Sequence, residues 1–244
     1  MSYLGQYRTN IVIGLLISFS ATFSIPLQAK DGPKQVLRDS CVIIDNDFDI
    51  DDMMAIPPVI ANKYVAAIIQ SEGYTLPGEG AAAVDQLVNH IPDQPNKRKI
   101  PIIVGEKQRI SPDLSKWSWL PYFRSMMNQA NGLLPSPPKP WPADNQYINK
   151  VAKSVENCKK VSVLIIGTYT SFNNYSAAIK NKIDRVVIMG QPIGDNSRTQ
   201  GRESFNCNYD FEACKKAMGI LKDFDVYFVD IPRDDDVGGI CANT

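Results

Sequence analysis

The sequence predicts an α/β fold, built on an open and mostly parallel sheet with helices on both faces. Short apolar runs of strand length alternate along the chain with segments whose apolar residues recur at helical spacing. This alternation is typical of βαβ units. Clusters of polar residues follow several of the apolar runs directly. Doubly wound sheets bind their ligands there, beyond the carboxyl ends of the strands.

Each predicted element rests on a particular run of residues. The strands are short, apolar and bounded by polar residues or glycine, and they cover 41–45, 64–73, 99–106, 161–170, 183–191 and 225–231. The helices have apolar residues at helical spacing, and they cover 51–63, 78–91, 171–181 and 210–224.

Proline interrupts this pattern in two places. Pro57 and Pro58 fall inside the first helix and predict either a kink or a restart. The segment 111–145 is rich in proline and tryptophan and is too proline-dense for a regular helix. We expect it to form either a lid or wall over the site, or a surface excursion packed by its own aromatic residues.

The N-terminal residues predict a secretory signal peptide. Arg8 precedes an apolar run at 11–25, and Ala29 ends a small-residue cleavage site. The run is shorter than the roughly 20 apolar residues of a spanning helix, and serine and threonine interrupt it, so a cleaved signal is favoured over a membrane anchor. Residues 1–29 are assigned to the signal and 30–244 to one domain, in a secreted or periplasmic protein.

Charge and cysteine content exclude several kinds of protein. The chain has 26 basic and 26 acidic residues, so its composition provides no basic field for nucleic acid and no membrane-binding tail. The five cysteines lack the spacing of a zinc site and are too scattered for a disulfide-rich mini-domain. Cys207 and Cys214 are the nearest pair, and the odd number leaves at least one thiol free or intermolecular.

The most informative stretch is CVIIDNDFDIDDMMAI at 41–56, which has five aspartates within eight residues. An EF-hand loop would need glycine and glutamate where this sequence has Ile50 and Ile56. A haloacid-dehalogenase-type phosphatase would use Asp45 as nucleophile and Asp47 as acid/base, and this weaker interpretation stays open. Helix capping and solvation would explain one or two acidic residues, but five are more than a cap needs.

A divalent-cation site explains the aspartates better. Alternate residues after a strand can turn their oxygens towards one ion, while Asp51 and Asp52 open the next helix, where the helix dipole favours negative charge. Calcium takes roughly six to eight oxygen ligands. Carboxylates that would repel one another therefore become stabilising around it.

The stretch IIDNDFDIDDMMAI at 43–56 resembles the D-x-D-P-G-x-D-D segment of the inosine–uridine-preferring nucleoside hydrolases. Between Cys41 and Ile231, further segments resemble that family in the same order: KIPIIVGE, NGLLP, VLIIGTYTSFNN, RVVIMGQPIGDN and SFNCNYDFEA. The resemblance implies a nucleoside-hydrolase-like, Rossmann-like fold. It also implies calcium-dependent hydrolysis of the N-glycosidic bond of ribonucleosides or a related ribosyl compound, with Ca²⁺ as cofactor and a small molecule as partner.

The resemblance further implies roles for individual residues. Asp47, Asp52 and the main-chain carbonyl of Thr170 would bind calcium. Asp47 would also be the catalytic general base for water. Anionic groups around the sugar would stabilise its oxocarbenium-like transition state. The ribose hydroxyls would be held by Asp51, Asn196 and Asn206.

The chain departs from the family pattern at several positions. Phe48-Asp49 replaces Pro-Gly, Tyr74 replaces an asparagine, and Ser204 replaces a ribose-binding glutamate. The single histidine, His90, is expected to be a surface or helix-cap residue.

The family's later His-Asp pair has no counterpart, so we expect a domain that lacks that C-terminal segment. A second class of function therefore stays open: a catalytically degenerate relative that binds calcium or a sugar-like ligand. Base preference is undetermined, and homo-oligomerisation is left open.

Overall fold

The structure, a computed structural model, describes residues 37–91, 99–107, 117–131, 139–190 and 204–229. The chain divides into two compact units, Met1–Lys34 and Gln35–Thr244, and all described residues lie in the second unit. The predicted signal peptide, Asn196 and Cys241 lie outside the described residues. The division into signal and domain stays a prediction.

The described strands form one open, all-parallel sheet. They are β1 (Arg38–Asn46), β2 (Val65–Gln70), β3 (Ile102–Val104), β4 (Cys158–Ile165), β5 (Ile183–Met189) and β6 (Asp225–Val229). Their order in the sheet is β3-β2-β1-β4-β5-β6. The order reverses between β1 and β4, and sheets of this kind bind ligands at such a switch point.

Helices follow the strands in the alternation that the sequence predicts. Those in the described residues are α1 (Ile50–Asn62), α2 (Pro77–His90), α3 (Leu120–Asn131), α4 (Tyr147–Ser154), α5 (Phe172–Ile179), α6 (Phe205–Tyr209) and α7 (Phe211–Leu221). The sequence does not predict α3, α4 or α6. Within the same residues, no helix combines the length and the apolar character needed to cross a bilayer.

The helices cover both faces of the sheet, which confirms the predicted fold class. Successive side chains of a strand point to opposite faces. Ile43 accordingly packs in one core cluster with α4, α5 and α7, while Ile44 packs in a second cluster with α1, α2 and α3. Both side chains are fully buried. Burial on both faces explains why the predicted strands are nearly continuous apolar runs.

The prediction that 111–145 contains no regular helix is wrong. α3 lies within it, and the only proline of α3, Pro121, falls in the first turn. Proline is tolerated there because the first amides of a helix have no intrahelical partner. The prolines that suggested an irregular segment lie outside the helix.

α1 does not restart at its two prolines. Pro57 and Pro58 both lie within a single helix. Ile56 and Ile60 on either side of them are buried in the core, and packing of an apolar face is the main source of helix stability in proteins. Tertiary contact therefore maintains the helix where local propensity opposes it.

Two disulfides link the described cysteines. Cys207–Cys214, the nearest pair in the sequence, joins α6 to α7. Cys41–Cys158 joins the central strands β1 and β4 across 117 positions. Sequence spacing does not predict this second pair, because only strand pairing brings the two residues together.

Candidate active site

The turn between β1 and α1 directs several carboxylates towards the carboxyl edge of the sheet. Phe48 has a positive φ of 57°, which costs about 1–2 kcal/mol for a residue with a side chain. Its ring is fully buried, and burial of such a ring contributes about 1.5–3 kcal/mol. Hydrophobic packing can therefore hold the strained turn.

Asp49 stands where the family pattern has glycine, yet its backbone needs no glycine. It has an extended conformation, with φ −90° and ψ −177°. Its carboxylate caps α1 by accepting a hydrogen bond from the amide of Ile50 at 2.6 Å. The left-handed residue of this turn is Phe48, one position earlier.

Asp47 and Asp52 are buried carboxylates placed next to each other. Asp52 Oδ2 accepts hydrogen bonds from the amides of Asp49 at 2.8 Å and Asp47 at 3.3 Å. Asp52 Oδ1 is buried and receives no hydrogen bond from an N–H or hydroxyl donor. Asp47 Oδ2 accepts from the amide of Tyr74 at 2.8 Å. Main-chain amides thus hold both carboxylates in place, while Asp52 Oδ1 is available to another ligand.

Burial makes both carboxylates costly to ionise. Burial raises the pKa of Asp47 to about 7, and the neighbouring charges of Asp49 and Asp51 act in the same direction. Burial, followed by repulsion from Asp47 and Asp51, raises the pKa of Asp52 well above its usual range. An adjacent cation favours the charged form of a carboxylate. The arrangement therefore suits a hard cation that accepts oxygen ligands.

The donor set fits such a cation only if other oxygens complete it. In the described part of the chain, no three histidine, cysteine, aspartate or glutamate side chains meet in the manner of a metal site. Asp47 and Asp52 provide two carboxylates, and calcium also accepts main-chain carbonyls and waters. The remaining ligands would have to be of these kinds.

Thr170 lies in the turn after β4 and is buried. Its hydroxyl donates a hydrogen bond to Asp210 Oδ2 at 2.7 Å. Gly167 in the same turn packs against the main chain at Asp47, because a Cβ at this glycine would lie 2.6 Å from the Asp47 nitrogen. The two turns are therefore held together without room for a side chain between them.

A cavity of about 350 Å³ opens beside these turns, which is within the range of small-ligand sites. Three of the site residues that the sequence predicts line this cavity: Asp47, Asp51 and Asn206. Asp52 lies behind Asp47, and Asn206 donates from Nδ2 to the Ile166 carbonyl at 2.7 Å. The described lining residues are Asp47, Asp49, Asp51, Tyr74, Ile166, Met189, Gly190, Ser204, Phe205, Asn206 and Val229.

An aromatic wall borders this cavity, and the sequence predicts it only in part. Tyr74 and Phe205 line the cavity with ring centroids 4.2 Å apart. Phe123 and Trp119 contact the Tyr74 ring at centroid distances of 4.9 Å and 5.6 Å. Trp117 contacts Phe205 at 4.9 Å. The described residues of 111–145 thus pack against the two lining rings but do not themselves line the cavity, so the role of that segment as a lid or wall or as a surface excursion stays a prediction.

A buried polar network supports the aromatic wall from behind. Tyr209 donates a hydrogen bond to Glu72 Oε1 at 2.7 Å. Arg124 from α3 donates to the Gly73 carbonyl at 2.6 Å and to the Tyr209 hydroxyl at 2.8 Å. Sequence reasoning missed these residues, because they come from three distant segments and form no motif.

Asp45 cannot serve as the nucleophile of a phosphatase. It is fully buried, and its Oδ1 accepts a hydrogen bond from the Ser71 hydroxyl at 2.6 Å. It does not line the cavity, whereas a nucleophile must reach its substrate. The phosphatase interpretation is therefore wrong. His90 is exposed at the last turn of α2, as expected for a helix-end residue.

Gly73 offers a test of how closely Asp47 is held. A Cβ at this position would lie 1.9 Å from Asp47 Oδ2 and 2.7 Å from Asp47 Cβ. We expect Gly73→Ala to displace the Asp47 carboxylate and, at the calcium site that the sequence predicts, to weaken binding at least about tenfold, in proportion to the losses seen when metal-ligand supports are removed. The change in calcium affinity would be measured by titrating calcium and recording thermal unfolding at each concentration.

The matched control is Gly219→Ala on α7, where a Cβ meets no atom within 4 Å. This change should leave calcium binding unaltered and should stabilise the helix by up to about 1 kcal/mol. Equal calcium affinity in the two variants would contradict the close approach at Gly73.

Comparison with known proteins identifies the family. The family model described as inosine-uridine preferring nucleoside hydrolase matches residues 42–230. This match covers more than half of the chain and includes the β1–α1 turn. The chain belongs to this nucleoside hydrolase family. The resemblance expected from the sequence is thereby confirmed. No curated protein matches the chain by sequence.

Solved nucleoside hydrolases share the fold at low sequence identity. The inosine-uridine preferring nucleoside hydrolase from Bacillus anthracis has a TM-score of 0.53 and 13% identity, over 80% of this chain and 65% of that one. An inosine-guanosine nucleoside hydrolase has a TM-score of 0.58 and 18% identity, over 80% and 60%. A purine-preferring ribonucleoside hydrolase from Gardnerella vaginalis has a TM-score of 0.56 and 17% identity, over 78% and 60%.

This chain spans between 60% and 65% of the length of these three structures. At such identities the similarity establishes the fold alone. Activity and substrate have to be argued from the residues of this nucleoside hydrolase family member itself.

Proposed function

We propose that this protein hydrolyses the N-glycosidic bond of a ribonucleoside or a related ribosyl compound, and that the reaction requires Ca²⁺. The observation that carries the proposal is the pair of buried carboxylates, Asp47 and Asp52, at the edge of a cavity with polar and aromatic sides. Asp51 and Asn206 offer polar groups for a sugar, and the aromatic wall offers a surface for a base. Membership of the nucleoside hydrolase family supports the same reaction.

Asp47, Asp52 and the main-chain carbonyl of Thr170 would hold the calcium ion. A bound divalent ion lowers the pKa of water, so that hydroxide is available near neutral pH. The buried and unpartnered Oδ1 of Asp52 supports this assignment, because an uncompensated buried carboxylate oxygen is costly. Calcium would supply the missing partner.

The residues of the chain would each contribute one part of the reaction. Asp47 would accept the proton of the attacking water, and the Tyr74 amide would orient its carboxylate through the 2.8 Å hydrogen bond. Asp51, Asn196 and Asn206 would hold the ribose hydroxyls. Positive charge develops on the sugar as the glycosidic bond breaks, and the nearby carboxylates would stabilise it electrostatically.

The aromatic wall would position the base. Tyr74 and Phe205 line the cavity, and offset stacking of a base on such rings would contribute about 0.5–1.5 kcal/mol beyond the buried area. A stacked base would place its glycosidic bond towards the carboxylate end of the cavity.

Release of ribose tests the proposal. The full chain is incubated with a mixture of inosine, guanosine, uridine and cytidine, with calcium or with a chelator, and reducing sugar is measured. We expect ribose release with calcium and a loss of at least about 10²-fold when calcium is removed. If protein that is folded and binds calcium releases no ribose, the proposal is overturned and a degenerate binding relative is favoured.

We also propose that the protein acts in a secreted or periplasmic setting. The predicted signal peptide is the main argument for export. The two disulfides among the described residues support it, because disulfides persist mainly in oxidising compartments.

A further inference from the structure

The charged side chains among the described residues that line the cavity are all acidic. Asp47, Asp49 and Asp51 line it, and Asp52 lies directly behind Asp47. No basic side chain occurs among the described lining residues. If a divalent ion neutralised Asp47 and Asp52, the carboxylates of Asp49 and Asp51 would still face the cavity. The site would keep a negative potential with its metal bound.

The basic residue beside the aromatic wall does not offset this charge. Arg124 donates to the Gly73 carbonyl next to Tyr74. Its guanidinium lies 3.7 Å from the buried carboxylate of Glu72, so its charge is already paired. Among its described lining residues, the cavity thus combines carboxylates with neutral aromatic side chains.

The neutral wall is itself suited to a cation. The faces of aromatic rings carry partial negative charge and attract organic cations, more strongly when water is excluded. Tyr74 and Phe205 both line the cavity, and Trp119 extends the same cluster. A flat, positively charged ring in the cavity would lie close to aromatic rings and carboxylates together.

The chemistry of the leaving group points the same way. The base of a neutral nucleoside leaves with the electron pair of the glycosidic bond and needs a proton, which a general acid usually supplies. The described lining contains no imidazole and no ammonium group. The single histidine, His90, is the last residue of α2 and is exposed, and it does not line the cavity.

From these observations we infer that the site prefers ribosyl compounds whose leaving ring carries a permanent positive charge, such as a pyridinium riboside or an N7-alkylated purine riboside. The inference rests on the proposed function and specifies its substrate class. The water oxygen forms a bond to C1′, and the C1′–N bond breaks. Its electron pair returns to the ring, which leaves as a neutral molecule without protonation, while the water proton passes to Asp47.

Binding measurements test this preference without turnover. The calcium-loaded full chain is titrated by calorimetry with 1-methylnicotinamide, a pyridinium cation, and with nicotinamide, its neutral counterpart of similar size. We expect at least about tenfold tighter binding of the cation. Asp49→Asn should reduce that difference, because asparagine keeps the helix cap but removes one charge from the cavity.

Hydrolysis measurements separate this inference from the proposed function. The substrates are 7-methylguanosine, guanosine and 4-nitrophenyl β-D-ribofuranoside, whose nitrophenolate leaves without protonation or positive charge. The rate with each compound is divided by the uncatalysed rate of the same compound. We expect this rate enhancement to be about tenfold or more greater for the methylated, cationic nucleoside than for guanosine, and Asp49→Asn to lower this ratio. The control Asp39→Asn changes an exposed residue of β1 and should leave the ratio unaltered.

Each outcome has one meaning. Cleavage of the nitrophenyl riboside without any preference for 7-methylguanosine, and without tighter binding of the cation, would overturn the inference and leave the proposed function standing. Failure to cleave all three compounds would overturn the proposed function and the inference with it. Preference for the cation that disappears in Asp49→Asn would support the inference.

Discussion

Asp47→Asn is expected to lower the catalytic efficiency of ribonucleoside hydrolysis by roughly 10³-fold or more. The change removes the proposed general base, and such groups contribute about 10²–10⁴-fold. It also removes one of two buried carboxylates proposed to hold calcium. Asparagine has nearly the same volume, so its amide can still occupy the position beside the Tyr74 amide. Ribose release at saturating calcium measures the effect on rate.

The control for Asp47→Asn is the same substitution at Asp39. Asp39 lies on β1, the strand that directly precedes Asp47, is exposed and pairs with Lys159 at 2.6 Å. Asp39→Asn should retain full activity and the same stabilisation by calcium. Calcium-induced thermal stabilisation gives a second readout, which Asp47→Asn should largely abolish. Wild-type turnover by Asp47→Asn would exclude Asp47 as base and ligand.

Removing the disulfide between β1 and β4 is expected to have the largest effect on stability. Cys41 and Cys158 are 117 positions apart, so their link restricts a long loop of the unfolded chain. The loop-entropy relation gives about 5 kcal/mol for a loop of this length, against about 2 kcal/mol for a loop of seven residues. The double variant Cys41→Ala/Cys158→Ala should therefore lose about 5 kcal/mol in free energy of unfolding, or fail to accumulate as folded protein.

The second disulfide provides a matched comparison. Cys207 and Cys214 are also fully buried, and their double alanine variant removes the same atoms. Urea unfolding of the two variants under oxidising conditions measures the difference between them. A smaller loss at Cys41 and Cys158 than at Cys207 and Cys214 would show that loop length does not govern the stabilisation here.

Local sequence patterns predict most of the fold correctly. All six predicted strands have counterparts in the sheet, because buried parallel strands need short apolar runs and these runs are visible in one dimension. The patterns fail where contact outweighs propensity. α1 continues through Pro57 and Pro58, and α3 forms in a proline-rich segment because Pro121 falls at a tolerated position.

Sequence reasoning can anticipate which site residues meet when they are close together in the chain, while their roles stay predictions. Asp47, Asp51 and Asp52 lie within six positions, so one strand-to-helix turn predicts that their carboxylates gather. The structure places Asp47 and Asp51 at the cavity and Asp52 behind them. It also gives Asp49 the role of the helix cap, which the departure from the family's glycine did not suggest.

The strand pattern, the alternation of strands with helices and the acidic turn after β1 are all readable from the sequence, because each depends on neighbours within about fifteen residues. The aromatic wall and the Cys41–Cys158 disulfide depend on the tertiary structure. Tyr74, Trp119 and Phe205 come from distant parts of the chain. They meet because parallel strands bring the segments at their carboxyl ends to one edge of the sheet. Periodicity identifies which face of an element is buried, but it carries no information about which distant loop will lie opposite.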